Sequence, residues 1–185
     1  MPSPSKENNI LELFFNMPTK HWHFEEILKK AGISRPKANL WLKKMLKEKI
    51  IKRVKVKGKM PYYTGNYDEP NYQYKKKRFA MDKFHKNGLL NYLKSLENVK
   101  TVILFGSFSR SDWYKNSDID IFIYGNPKEV KIGKYEIKLH RDIQIFLGKD
   151  KKDLKRMGAP LLRNIIRGDL IKGGLPKEVI SNASV

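Results

Sequence analysis

The chain has 185 residues, of which 40% are hydrophobic, and 39 Lys and Arg against 19 Asp and Glu give it a formal charge of +20. That length holds one good core or two small ones. The absence of cysteine excludes disulfides and thiolate metal sites, and no apolar run approaches the roughly 20 residues a membrane-spanning helix needs. The start MPSPSKENN carries no apolar segment of a secretory signal, so a cytoplasmic protein without a membrane partner is expected. Up to Asn98 there are 22 Lys and Arg against 9 Asp and Glu, a net +13, and the remainder carries +7. Such an excess attracts polyanions, nucleic acid first among them; general lysine enrichment, as in thermophiles, is the competing source.

A short mobile terminus with Pro2 and Pro4 leads into a helix over about Asn8 to Met17, with Ile10, Leu11, Leu13, Phe14 and Met17 at helical spacing and Pro18 as its stop. His21 and His23 flank Trp22 at the entry to a second helix, Phe24 to Lys30, which Gly32 ends. Ser34 caps a third helix that turns Ala38, Trp41, Leu42, Met45 and Leu46 inward and Arg35, Lys37, Lys43 and Lys44 outward. In IIKRVKVKGKMPYYTG, Val54 and Val56 alternate with Arg53, Lys55 and Lys57 before a turn at Gly58, which predicts a basic hairpin.

This order of helices, turn, basic helix and hairpin resembles a winged helix-turn-helix domain, here residues 1–70. The resemblance implies that the third helix enters a major groove while the wing touches phosphates. By position it places Ser34, Arg35, Lys37, Asn39, Lys43 and Lys44 on nucleic acid, with Lys55, Lys57 and Lys59 on the wing. The same fold also serves as a protein-docking module, with its lysines solvated. A helical connector is expected over 71–98, interrupted at Asn87-Gly88 and carrying the run KKKR, Lys75 to Arg78, either as a solvated face or as a binding face.

From Thr101 the run TVILF reads as a buried strand and delivers the chain to Gly106-Ser107. A short helical piece follows, in which Phe108, Trp113 and Tyr114 are packing residues, and then a loop. In SDIDIFIY, Ile119, Ile121 and Ile123 alternate with Asp118, Asp120 and Phe122, so both carboxylates leave one face of a strand. Their Cα atoms are ~7 Å apart by strand geometry, and two side chains so placed can grip one divalent ion. A turn without a Cβ, with a hydroxyl beside it, lets phosphate approach the backbone. HRDIQIFLG, His140 to Gly148, predicts a later strand on which Asp142 and Gln144 share a face. Helices are expected over about Lys149 to Arg156 and Ala159 to Arg167, followed by a short strand or loop over Asp169 to Lys172.

Gly-Ser, ten residues, then Asp-x-Asp resembles the minimal nucleotidyltransferase domain of the DNA polymerase beta superfamily, taken here as 99–185. The resemblance implies a small mixed sheet flanked by helices, giving an α/β (α+β) chain with the winged helix in front. It implies that Gly106, Ser107 and Arg110 bind the phosphates of a nucleoside triphosphate, ATP being the expected one. Asp118, Asp120 and a third carboxylate, Asp142, would hold two Mg²⁺ ions. With Gln144 in the third position instead, nucleotide binding would survive without catalysis. The implied activity is transfer of AMP to a hydroxyl of a protein side chain or an RNA 3′ end. The alternative is a DNA-binding regulator whose nucleotidyltransferase fold only senses nucleotide.

Overall fold

A computed structural model describes residues 6–183; Pro2 and Pro4 lie outside that range. The chain divides into two compact units, one of residues up to Lys76 together with Trp113–Lys115, the other of Lys77–Asp112 and residues from Asn116 onward. The expected connector is therefore shared between them.

In the first unit, α1 (Lys6–Asn16), α2 (Phe24–Ala31) and α3 (Arg35–Lys47) precede β1 (Ile51–Val54) and β2 (Tyr62–Gly65). The apolar faces meet as their spacing requires: Ile10, Phe14 and Phe15 from α1, Ile27 from α2, and Ala38, Leu42 and Met45 from α3 are all buried. All of these but Ala38 are of a size that contributes about 1.5–3 kcal/mol each when fully buried. Gly32 closes α2 in the left-handed region at φ 62°, its N–H donating to the Leu28 carbonyl. β1 and β2 pair antiparallel from Ile51 opposite Gly65 to Val54 opposite Tyr62, and Trp22 adds a single antiparallel bridge to Tyr63.

Helix α4 (Pro70–Lys86) breaks at Gly88, φ 81°, before α5 (Leu89–Ser95), as the Asn-Gly pair foretold. Its first residues close the first unit. Tyr72 is fully buried and donates to the Phe14 carbonyl at 3.0 Å; burial raises its phenol far above the usual value, so the hydroxyl remains a donor. Lys76, also buried, donates to the Trp113 carbonyl at 2.6 Å and lies 4.5 Å from the Trp113 ring centroid.

In the second unit, β3 (Val99–Phe105), β4 (Ile119–Gly125), β5 (Ile143–Gly148) and β6 (Asp169–Lys172) form one sheet in the order β5-β4-β3-β6. β3 pairs antiparallel with β4 and β6, and β4 pairs parallel with β5, so the sheet is mixed as expected. α6 (Gly106–Arg110) follows β3, α7 (Gly133–Leu139) joins β4 to β5, and α8 (Lys151–Met157), α9 (Ala159–Ile166) and α10 (Lys177–Ala183) complete the unit. Phe105, Phe122 and Tyr124 pack with Leu154, Leu162, Ile165 and Val179 from these last three helices. Alternation along β4 puts Asp120 on the same face as Phe122 and Tyr124, at the end of the strand.

Candidate active site

β3 is buried throughout its apolar run and ends at Phe105, which pairs across the sheet with Asp120. The next residue, Gly106, has φ 69°. A Cβ on it would fall 3.1 Å from the Asp120 Cγ and closer still to Oδ2, so the Asp120 carboxylate rests on the bare Cα of the turn. The two halves of the sequence motif are thus in contact. Burial, and secondly the charge of Asp118, raise the Asp120 pKa above the usual carboxylate range, with Arg110 opposing. An acid shifted upward in the folded state stabilises the fold at low pH, and that contribution is lost as pH rises through the folded pKa. Burial and Asp118 therefore disfavour the ionised form of Asp120.

Asp118 accepts a hydrogen bond from Gln144 Nε2 of the neighbouring strand, in keeping with a register that sets Asp120 opposite Gln144. Asp142 lies just ahead of β5; its side chain is exposed, while its carbonyl accepts from the Ile119 N–H at 2.9 Å. Among the described residues no group of three or more His, Cys, Asp or Glu is arranged to hold a metal ion. The structure thus brings Asp118 and Asp120 to one face and does not gather Asp142 into a three-carboxylate cluster with them. Arg141 donates to the Ser117 carbonyl at 2.9 Å and lies over the buried Phe108 ring.

Ser107 is half-buried on the turn, its carbonyl accepting from the Ser111 and Asp112 N–H groups. Arg110 is exposed and forks onto Asp112, Nε to Oδ2 at 2.8 Å, with a further bond to Asn164 Oδ1 at 3.3 Å. Asp112, Arg141 and Asn164 carry no motif in the sequence that marks them as site residues. Only the alternation that pairs Gln144 with the aspartate face could be read in advance.

Residues 86–177 match the family model described as a nucleotidyltransferase domain. No curated protein and no solved structure matches the chain. The matched segment takes in Gly106, Ser107, Arg110, Asp118, Asp120, Asp142 and Gln144, and the match points to nucleotidyl transfer in general, with a nucleoside triphosphate as the implied substrate. Of the first unit, only Trp113–Lys115 falls within it. No helix among the described residues is long and apolar enough to cross a membrane.

The basic residues of the first unit fall into two groups. Arg35 pairs with Glu25 at 2.6 Å, and Lys44 with Glu7 at 3.0 Å, a hydrogen bond that raises the Lys44 pKa. Ser34 precedes α3 as expected but makes no side-chain capping bond. Lys37, Asn39 and Lys43 are exposed on α3, and Lys55, Lys57 and Lys59 are exposed on the hairpin. Each cation of the run KKKR has a partner. Lys75 meets Glu48 at 3.4 Å, Lys76 is buried, Lys77 reaches Asp169 and the Ser109 carbonyl, and Arg78 meets Asp82 at 3.7 Å.

Gln144→Glu tests the neutral partner of Asp118. It removes a hydrogen bond to a charged group, worth about 1.5–3 kcal/mol at most, and adds a like charge. The metal-free protein is expected to melt lower by about 3 °C or more, and Mn²⁺ is expected to restore the loss; thermal unfolding with and without the cation measures both.

Proposed function

We propose that the protein is a divalent-cation-dependent nucleotidyltransferase that moves AMP from ATP to a hydroxyl of a protein or RNA acceptor, and that its first unit is a winged helix that binds nucleic acid. The observation that carries the catalytic reading is the Asp120 carboxylate resting on Gly106, with Asp118 on the same face. The donor set fits a hard cation. Mg²⁺ is commonly held by one or two carboxylates plus substrate phosphates, and burial and Asp118 disfavour the ionised form of Asp120, which a cation favours.

In this reading Asp118 and Asp120 hold the cations, two in number, and Asp142, just ahead of the Ile143 that pairs with Ile119, is a further carboxylate for the acceptor side. Bound metal would supply Lewis-acid stabilisation of the phosphoryl oxygens and a lowered pKa for the acceptor hydroxyl. Gly106 keeps the floor of the phosphate site open, the Ser107 hydroxyl donates to a phosphate oxygen, and Arg110 turns from Asp112 toward the triphosphate. The acceptor oxygen bonds to the α phosphorus, the bond from that phosphorus to the bridging oxygen breaks, pyrophosphate leaves and the acceptor proton passes to solvent or a carboxylate. For the first unit, the support is the element order together with the bridge from Trp22, which lies between α1 and α2, to Tyr63 of β2.

The Gln144 hydrogen bond to Asp118 favours a second reading, a nucleic-acid-binding regulator that senses nucleotide without turnover. Incubation with α-labelled ATP, Mg²⁺ and cell extract separates the two. Label appearing on protein or RNA, and lost in Asp118→Asn, supports the enzyme. Mg²⁺-dependent nucleotide binding with no label transferred supports the regulator.

A further inference from the structure

The positive charge of the first unit is concentrated where it has no counter-charge. Between Lys49 and Tyr67 there are six Lys and Arg and no acid. Lys49 pairs with Glu69 at 3.6 Å. Lys52, Arg53, Lys55, Lys57 and Lys59 are all exposed, and among the described residues none has an acidic partner. The contrast with KKKR is direct, because there each cation has a partner within the fold. General lysine enrichment does not account for five cations left unneutralised on one hairpin.

Beside these cations lies a surface of a different kind. The His21 ring lies flat on Tyr62, with centroids 3.8 Å apart and planes within 19°. His23 meets Tyr62 edge-on and places its Nδ1 3.2 Å from the Pro61 carbonyl. These rings, with Val56, Lys59 and Met60, line an open concavity of about 470 Å³. Met60 is 72% exposed and Val56 44%, so its apolar walls stand in water. Flat aromatic and apolar walls next to a row of cations match the two halves of a nucleotide in a strand: the base stacks while the phosphates track the lysines. An acidic peptide or an anionic lipid surface would satisfy the cations but brings no flat ring to the His21–Tyr62 stack. In a duplex the base faces are already stacked on one another and cannot enter.

We infer that the concavity of His21, His23, Val56, Met60 and Tyr62, with the lysines of the hairpin, binds an unpaired nucleobase of a single-stranded nucleic acid. This rests on the nucleic-acid reading of the first unit and is independent of nucleotidyl transfer. It adds that the preferred ligand is a strand with free base faces.

The experiment is fluorescence anisotropy with the full chain and three probes at one fixed salt concentration: a labelled oligoadenylate of about 20 nucleotides, its duplex with oligothymidylate, and inorganic polyphosphate as a competitor without bases. The strand is expected to bind about tenfold or more tighter than the duplex, and polyphosphate to compete poorly. His21→Ala removes an exposed ring from the hairpin surface and is expected to weaken the strand about tenfold, the scale of one stacked base, without changing the slope of affinity against salt. Tyr62→Leu is expected to do the same, with circular dichroism confirming that it folds. Lys57→Glu is expected to shallow the salt slope instead. Duplex bound as tightly as strand, polyphosphate competing as well as oligonucleotide, or His21→Ala without effect would each overturn the inference. If neither strand nor duplex binds, the nucleic-acid reading of the first unit fails with it. Unchanged strand binding by Asp118→Asn is expected, and its loss would count against the assignment to the hairpin.

Discussion

Gly106→Ala is expected to reduce label transfer by about 100-fold or more while leaving the protein folded. Two effects act at that position. At φ 69° an alanine pays roughly 1–2 kcal/mol for the left-handed conformation. Its Cβ would also overlap the Asp120 carboxylate, which must then leave its place. The first effect is a stability cost of ordinary size. The second displaces a proposed metal-holding group by the order of 1 Å, and misplacement on that scale costs about 100-fold in rate. Transfer assays together with thermal unfolding separate the two: a lower melting temperature with full activity would show that Asp120 does not act from the position described.

The parts of the site that were legible in the sequence are those set by periodicities of the backbone. The buried run of β3, the Gly-Ser turn and the alternation of Asp118 and Asp120 with isoleucines follow from strand geometry, and the structure has each in place. Third-strand pairing was legible only in part. Alternation put Asp142 and Gln144 on one face, but which of them meets Asp118 depends on the rotamer each adopts at the start of β5, and there Gln144 makes the bond. No element is expected from the sequence where α7 lies. Tyr135, Ile137 and Leu139 alternate as in a strand, yet the segment is helical and buries only Tyr135 and Leu139, leaving Ile137 75% exposed. Long-range partners were not legible at all. Nothing near Lys76 in sequence announces the Trp113 ring and carbonyl, 37 residues away, that receive its ammonium.

Asp120→Asn is expected to abolish transfer and, without metal, to raise the melting temperature by a few degrees at neutral pH. The carboxylate is half-buried beside Asp118, and both raise its pKa. Its ionisation is therefore unfavourable to the folded chain, and stability falls as pH rises through the raised value. Asparagine removes that charge, so the variant's stability should lose this part of its pH dependence, and a divalent cation should stabilise the wild type far more than the variant.

The central claim is that Asp118 and Asp120 hold divalent cations beside the Gly106–Ser107 turn. It is tested most directly by electron paramagnetic resonance titration of Mn²⁺ in the presence of ATP, comparing the wild type with Asp118→Asn and Asp120→Asn. The account predicts that each variant loses Mn²⁺ affinity by about tenfold or more. Equal Mn²⁺ binding by all three proteins would contradict it.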